Sequence, residues 1–189
     1  WVILFVFILL NNIIINYMKL DYYLIGIARA YPLIIICSSF LNYFFTFQIK
    51  YFMLGIALLV NDTSNGVLKN ITESLFGDKI FGMLGKRPKG AMNCGFFLNP
   101  KKTLSKSYGM PSGHSQNAVF FSTYAIMNIL DSNISFHQKT ISISLFICLA
   151  LGVMYSRIYL NCHTIPQVII GGLIGFLFAR IYYEKEEDI

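Results

Sequence analysis

The sequence predicts an all-α fold, a polytopic membrane helical bundle of about six transmembrane helices. Only 13% of the residues are charged, whereas soluble domains carry about 25%. The mean hydropathy is strongly positive, at +0.59. Six apolar segments also follow one another along the chain, over residues 1–16, 31–48, 51–69, 116–131, 140–156 and 164–183.

The first apolar segment, 1–16, is interpreted as the remnant of a spanning helix. It starts at Trp1 inside the run WVILFVFILL, so we expect that the natural N-terminus has been lost. A signal peptide would begin with charged residues and end at a small-residue cleavage site, and neither occurs before NNIIINYMKLD. Segments 31–48 and 51–69 are interpreted as the second and third spans. Several segments are shorter than the roughly 20 residues that cross a bilayer, so we expect their ends to extend by a few residues.

The long polar stretch lies between the third and fourth spans, over residues 70–115. It contains LGKRPKGAMNCG and NPKKTLSKSYGMPSGHS, whose Gly, Pro and Ser residues interrupt any continuous helix. A loop of this length in a compact bundle is typical of a functional or a disordered segment. Nothing in the composition marks an interdomain linker, so residues 1–189 are treated as one domain.

The six segments are apolar on nearly every side, as expected of helices that face both lipid and neighbouring helices. In VIIGGLIGFLF, Gly171 and Gly175 form a GxxxG pattern that lets two helix backbones approach closely. Incidental glycines in a membrane helix explain the pattern equally well. The sequence ends in YYEKEEDI, a solvated charged tail to which no chemistry is assigned.

Charge and cysteine content restrict the functional classes. The net charge is +6, but the basic residues concentrate in one loop, so no nucleic-acid partner is predicted. The four cysteines show neither a CxxC nor a Cys/His metal spacing, so no metal or cofactor is predicted. Cys37 and Cys148 lie in apolar runs, as core residues do. Cys94 and Cys162 lie in polar segments, where a disulfide would form only in an oxidising compartment.

Six spans would place the polar residues at a single membrane face. In that arrangement the loops after the first, third and fifth spans share one side. Lys69 ends the third span, His114 begins the fourth, and Arg157 and His163 lie between the fifth and the sixth. Most of the Lys and Arg residues also lie on this face, which the positive-inside rule would assign to the cytoplasm. Anion binding would explain several of the same cations, so the side of the membrane stays open.

Three short segments supply the chemically active side chains. They run from NGVLKN to KRPKG, over YGMPSGHSQ, and over YSRIYLNCHTIPQV. Together they hold fixed cations, two histidines and a Ser-Gly turn at the start of an apolar helix. Forked guanidinium donors, a lysine point charge and the free N–H groups of a helix start all suit a tetrahedral oxyanion such as phosphate. One histidine can then attack phosphorus while the other protonates the leaving oxygen.

These motifs resemble the type 2 phosphatidic acid phosphatase and vanadium haloperoxidase superfamily. The order Lys…Arg-Pro, Pro-Ser-Gly-His and Ser-Arg-x5-His covers roughly residues 60–180, and the second and third motifs match residue for residue. The resemblance implies that His163 is the nucleophile that forms a phosphohistidine and that His114 is the general acid. The residues that it implies for phosphate binding are Lys69, Arg87, Ser112, Gly113 and Arg157.

The sequence departs from the family pattern at two positions. The family places its first lysine seven residues before the Arg, and Ile80 stands there. Lys69 ends an apolar helix, as the family's lysine does, and is preferred over Lys79 and Lys86. Gln167 stands where most members have an Asp that orients the nucleophilic histidine. Its carbonyl can still accept the imidazole N–H but carries no full charge, and members similar to dolichyl-diphosphatase also carry Gln there.

The resemblance implies an integral-membrane, metal-independent lipid phosphatase with its active site at one membrane face. Its partners would be the bilayer and a lipid phosphomonoester or diphosphate, of the phosphatidate or isoprenyl type. Two alternatives remain at this point. One is a catalytically weak lipid-phosphate-binding or scaffolding protein, suggested by Gln167 and the stretched first motif. The other is a haloperoxidase, against which the apolar composition argues. The substrate and the oligomeric state are not readable from the sequence.

Overall fold

The computed structural model describes the backbone of residues 2–77, 82–91, 94, 104–105 and 107–186, and side chains from Tyr23 onward. Every regular element in these ranges is a helix. Five helices are long, and the sixth is a single turn that precedes Arg87. In chain order they are α1 (Val2–Thr46), α2 (Ile49–Phe76), α3 (Gly82–Gly85), α4 (Gly113–Asp131), α5 (Phe136–Tyr159) and α6 (Ile165–Glu186).

The structure does not show six separate spans. The first two predicted segments, 1–16 and 31–48, belong to the one helix α1, which continues through the more polar residues between them. Leu, Ala, Met, Lys and Arg in that connection are good helix formers and nothing there forces a turn. Within the described residues three helices are long and apolar enough to cross a membrane: Tyr23–Thr46 of α1, α5 and α6. The chain is an all-helical integral membrane protein.

Local sequence explains where the helices of the second half begin and end. Ser112 is the N-cap of α4 in an extended conformation, a position where a small polar residue is favoured. Ser135 and Gln138 form a reciprocal capping box at the start of α5. Past the end of α5, Asn161 adopts the left-handed conformation, with φ 52°, which asparagine tolerates better than most residues. The chain thereby reverses within a few residues and enters α6.

Helix α4 lies at the centre of the bundle and packs against the other four long helices. Its closest approach is to α6. A Cβ atom added to Gly171 would collide with the backbone carbonyl of Ser112, and one added to Gly175 with that of Gln116. The close helix approach that the GxxxG pattern predicted is therefore present, with α4 as the partner.

The polar segments meet at one end of this bundle. The Thr72 hydroxyl near the end of α2 donates to the Met110 carbonyl just before α4, at 2.7 Å. A disulfide joins Cys94 in the long loop to Cys162 between α5 and α6, with Cα atoms 6.1 Å apart. The sequence permitted this bond but did not require it. It ties the long polar loop to the α5–α6 turn.

Candidate active site

A polar cavity of about 310 Å³ opens at this end of the bundle. Residues from α1, α2, α4, α5, the long loop and the α5–α6 turn all contribute to its wall. They are Pro32, Asp62, Asn65, Gly66, Lys69, Arg87, Cys94, Ser107, Gly113, His114, Arg157 and His163. Six of the eight site residues inferred from the sequence are in this set, so the structure brings them together around one space.

His163 presents one ring nitrogen to the cavity and is oriented through the other. Its Nδ1 lies 3.1 Å from Oε1 of Gln167, which also accepts the backbone N–H of Thr164 at 3.2 Å. Because that amide oxygen can only accept, the proton is on Nδ1 and the lone pair is on Nε2. Burial, with Arg87 and Lys69 nearby, lowers the pKa of His163 to about 2. The ring is therefore neutral at physiological pH, with Nε2 available as a nucleophile.

Gln167 is fully buried and uses all of its hydrogen-bonding capacity. While Oε1 holds His163, Nε2 donates to the backbone carbonyls of Leu84 at 2.9 Å and Lys86 at 2.6 Å. A carboxylate has no hydrogen to offer these two carbonyls. The amide at this position thus joins the histidine to the turn that carries Arg87, a role that an Asp could not fill in the same geometry.

Arg87 is fixed on the far side of the His163 ring. Its Nε and Nη2 donate to the carbonyl and the hydroxyl of Ser107, both at 3.0 Å. Nη1 donates to the Cys162 carbonyl at 3.0 Å and to the lone pair on Nε2 of His163 at 3.4 Å. Burial lowers the pKa of Arg87, but a guanidinium remains charged in proteins. A positive charge is therefore held beside Nε2 of His163.

Arg157 is completely buried beneath the cavity. Its Nε donates to the Ser156 hydroxyl at 3.0 Å, and Nη1 donates to the Cys94 carbonyl at 3.5 Å. Its Nη2 has no hydrogen-bond partner among the described residues. An unsatisfied buried guanidinium donor is costly, and an oxyanion in the cavity would satisfy it.

Lys69 lines the cavity from α2, whereas the two other lysines considered for its role do not. Lys86 is exposed and borders a neighbouring cavity with Arg87 and Ser107. Lys79 lies outside the described residues. Lys101, Lys102 and Lys106 of the polar loop also lie outside them. The location of Lys69 supports its assignment as the first-motif lysine.

His114 lines the cavity from the first turn of α4. Its Nε2 lies 2.9 Å from the backbone carbonyl of Arg29 on α1. A carbonyl only accepts, so Nε2 carries a proton and donates it to Arg29. The sequence motifs gave no indication of this α1 contact, because Arg29 lies 85 residues before His114.

Gly113 and Ser112 occupy different positions relative to the cavity. Gly113 borders the cavity, and a Cβ there would lie 2.8 Å from Oδ1 of Asn65. Ser112 is fully buried and is absent from the described wall. Its backbone N–H donates to the backbone carbonyl of Gln167 at 3.1 Å, and its hydroxyl accepts a hydrogen bond from the Ser115 hydroxyl at 2.9 Å. The Ser112 N–H thus joins α4 to α6, and phosphate binding by its hydroxyl stays a prediction.

A buried amide network behind the cavity was missed by the sequence analysis. Asn61 donates to Asn117 at 2.7 Å, and Asn65 donates to Gln116 at 2.8 Å, so both pairs bridge α2 and α4. Asn117 also donates to Asp62 at 2.7 Å, and Asp62 lines the cavity. The polar run VNDTSNG, inside the apolar segment 51–69, could have indicated such a network. The network fixes the α2 face that carries Lys69.

Comparison with known proteins agrees with the resemblance of the motifs. The PAP2 superfamily model matches residues 50–188. Dolichyldiphosphatase of Saccharomyces cerevisiae is 31% identical over 79% of this chain and 58% of its own length. Human dolichyldiphosphatase 1 is 32% identical over 73% of this chain and 52% of its own length. The chloroplastic lipid phosphate phosphatase epsilon 1 of Arabidopsis thaliana is 29% identical over 68% and 50%.

No solved structure matches the chain. The chain spans between half and three fifths of the length of these three relatives. The family model nevertheless covers most of the chain, including every segment that lines the polar cavity except α1. The chain belongs to the PAP2 superfamily.

Proposed function

We propose that this protein is a membrane lipid phosphatase that works through a phosphohistidine at His163. The single observation that carries the proposal is the position of His163 Nε2. It is an unprotonated imidazole nitrogen in the wall of a cavity that Lys69, Arg87 and Arg157 also line. A neutral nucleophile surrounded by fixed cations is the arrangement that phosphoryl transfer requires.

In the first chemical step, Nε2 of His163 attacks the phosphorus atom. The N–P bond forms as the P–O bond to the leaving group breaks. Lys69, Arg87 and the free Nη2 of Arg157 hold the three non-bridging oxygens as their charge develops, and the N–H of Gly113 is a further donor. Oε1 of Gln167 accepts the hydrogen bond from Nδ1–H throughout and stabilises the ring as it becomes positively charged.

His114 supplies the proton for the leaving oxygen. It lies in the wall of the same cavity, and binding of a phosphate dianion favours its cationic form. In that form Nε2–H stays bonded to the Arg29 carbonyl, and Nδ1–H gives its proton to the leaving oxygen. In the second step a water molecule attacks the phosphohistidine, His114 takes a proton from that water, and the N–P bond breaks. Inorganic phosphate leaves and both histidines return to their starting states.

The substrate class follows from the relatives. Two of them are named as dolichyldiphosphatases and one as a lipid phosphate phosphatase. We propose that the substrate is a membrane lipid ending in a phosphomonoester or a diphosphate, and that isoprenyl diphosphates are among the best substrates. We also propose that α2 and α4 cross the same membrane as α5 and α6, as inner helices whose buried amides face one another.

The test is phosphate release by purified protein in detergent from farnesyl diphosphate and from phosphatidate, with a metal chelator present. Wild type is expected to turn over at least one of the two, with inhibition by vanadate. His163→Ala and His114→Ala should abolish release, while His137→Ala serves as the control because His137 is exposed at the start of α5. Binding without turnover by wild type would instead indicate a lipid-phosphate-binding protein.

A further inference from the structure

A second cavity lies between α1 and α5. It has a volume of about 480 Å³, and none of its described lining residues is charged. Leu24, Ile27 and Ala28 face it from α1, and Leu149, Gly152 and Val153 face it from α5. We call this cavity the α1–α5 groove. Its chemistry is the opposite of that of the polar cavity, whose wall holds three cations and two histidines.

The groove and the polar cavity are adjacent on both of their walls. On α1, Tyr31 lines the groove and the next residue, Pro32, lines the polar cavity. On α5, Ser156 lines the groove and the next residue, Arg157, lines the polar cavity. Consecutive residues of a helix are about 1.5 Å apart along its axis. Tyr159 and Leu160, beyond Arg157, line the groove as well. The groove and the polar cavity therefore lie side by side at the same level of α1 and α5.

The position of His114 brings the leaving group close to α1. Its ring is held by the carbonyl of Arg29, which lies on α1 between the groove residues Ala28 and Tyr31. The group that protonates the leaving oxygen must be close to that oxygen. Nε2 of His114 is bonded to Arg29 on α1, so Nδ1 is the nitrogen left to protonate the leaving oxygen. The leaving oxygen, and the hydrocarbon chain attached through it, then lie within one imidazole ring of the α1 wall.

We propose that the α1–α5 groove binds the hydrocarbon chain of the substrate and so makes the enzyme selective for long-chain phosphates. This inference rests on the proposed phosphatase function. The α5 wall from Cys148 to Leu160 covers twelve residue steps, or about 18 Å of helix. The groove is also open at its side, since Leu24 and Ile27 are each more than half exposed. A chain longer than the groove can thus continue into the bilayer.

Gly152 offers a way to fill the groove. A Cβ atom placed on it meets no heavy atom within 4 Å, so a side chain can start from this position without a backbone clash. Gly152→Phe would occupy the space that the hydrocarbon chain needs. Gly26→Phe is the matched control, because Gly26 is equally open but is not among the residues that line the groove.

The experiment compares kcat/KM for farnesyl diphosphate and for isopentenyl diphosphate, which share a head group and differ in chain length. Wild type should prefer the longer substrate. Gly152→Phe should lower the ratio of the two kcat/KM values by about tenfold or more, because the lost contacts bury several methylene groups. Turnover of isopentenyl diphosphate should stay within about twofold of wild type, and Gly26→Phe should leave the ratio unchanged.

The possible results separate the two proposals. An unchanged ratio in Gly152→Phe, with wild type active on both substrates, would overturn the groove assignment and leave the phosphatase function standing. Failure of wild type to hydrolyse either substrate would overturn both. If Gly152→Phe does not fold, Ala28→Phe fills the groove from the α1 wall and is judged by the same ratio. Cross-linking of a farnesyl diphosphate analogue with a diazirine in its chain should also label α1 and α5, and labelling elsewhere would count against the groove.

Discussion

At the scale of single residues, the amide of Gln167 links His163 to the turn that carries Arg87. Its oxygen fixes the tautomer of His163, and its nitrogen holds the carbonyls of Leu84 and Lys86. Replacement by an acid of the same length keeps the first function and loses the second. Two carbonyl oxygens would then face a carboxylate oxygen without a hydrogen between them.

We therefore expect Gln167→Glu to be slower than wild type despite its better electrostatic partner for His163. Displacement of the Arg87 turn should lower kcat by about tenfold to a hundredfold, as loss of a residue that orients a reacting side chain typically does. A carboxylate favours the protonated imidazole, so it should raise the pKa of His163 from its lowered value of about 2. The acidic limb of the kcat/KM profile should accordingly move to higher pH. A variant as fast as wild type with an unmoved acidic limb would contradict this account.

Arg157 gives a second prediction at this scale. Because its Nη2 is buried without a partner in the described residues, it is the donor most clearly reserved for the phosphoryl group. Arg157→Lys keeps the charge but removes the forked geometry, and we expect a loss of about 10²–10³ in kcat, as for other transition-state donors. Arg180→Lys is the control, since Arg180 pairs with Glu184 at the exposed surface and its replacement should leave kcat unchanged. Equal effects of both substitutions would show that Arg157 has no special role.

At the scale of helices, the contact of α6 with α4 depends on the absence of side chains at two positions. A Cβ on Gly175 would collide with the main chain of α4 at Gln116, which cannot move aside as a side chain can. Gly175→Ala should therefore lower the thermal midpoint in detergent, with a cost of about 1–3 kcal/mol for overpacking. Gly172→Ala is the comparison, because its Cβ would first meet the flexible Met154 side chain at 3.2 Å and should be better tolerated. If both variants unfold at the same temperature, the α4–α6 contact is not as tight as the structure indicates.

The disulfide between Cys94 and Cys162 is the other connection at this scale. Each cysteine also holds an arginine of the polar cavity through its backbone: the Cys162 carbonyl accepts from Arg87, and the Cys94 carbonyl accepts from Arg157. The other two cysteines, Cys37 and Cys148, are free and exposed, so the prediction that they are core residues was wrong: both apolar runs present these side chains on the outer surface of the bundle. Thiol titration of denatured protein should find these two free cysteines, and four after reduction. Reduction should lower kcat several-fold, as should Cys94→Ser, because the two carbonyls that hold Arg87 and Arg157 would no longer be linked. Stability should also fall, since loss of a native disulfide typically costs about 2–5 kcal/mol. Cys148→Ser should have no such effect, and full activity after reduction would show that the bond is not needed to hold the two arginines.

Sequence patterns predicted the site better than they predicted the fold that carries it. Lys69, His114 and His163 lie at the ends of segments read as helices, and alternating spans necessarily bring such ends to one face. The contacts missed by the sequence analysis were those between residues far apart in the chain, such as the Arg29 carbonyl that holds His114. The Asn61–Asn117 pair was missed for a related reason, because hydropathy averages hide single polar residues inside an apolar run. Helix α1 was divided in two because composition does not reveal that a polar connection stays helical.

At the scale of the whole molecule, the disulfide bears on which side of the membrane the polar cavity faces. The excess of cations on this face would assign it to the cytoplasm. However, Lys69, Arg87 and Arg157 all line the polar cavity, so phosphate binding explains them without reference to topology. Disulfides persist in oxidising compartments and are rare in the cytosol. The Cys94–Cys162 bond is therefore the better indicator, and we expect the polar cavity to face away from the cytoplasm.

This expectation can be tested in sealed membrane vesicles whose cytoplasmic surface faces outward. A membrane-impermeant phosphine should leave the Cys94–Cys162 bond intact until the vesicles are permeabilised, as followed by mass spectrometry of alkylated peptides. The control is Ser132→Cys, in the α4–α5 turn at the opposite end of the bundle. An impermeant maleimide should label it in the sealed vesicles, because the two ends of a membrane-crossing bundle lie on opposite sides. The opposite result would be reduction of the disulfide in sealed vesicles together with protection of the cysteine at position 132. It would place the polar cavity on the cytoplasmic side, in agreement with the positive-inside rule.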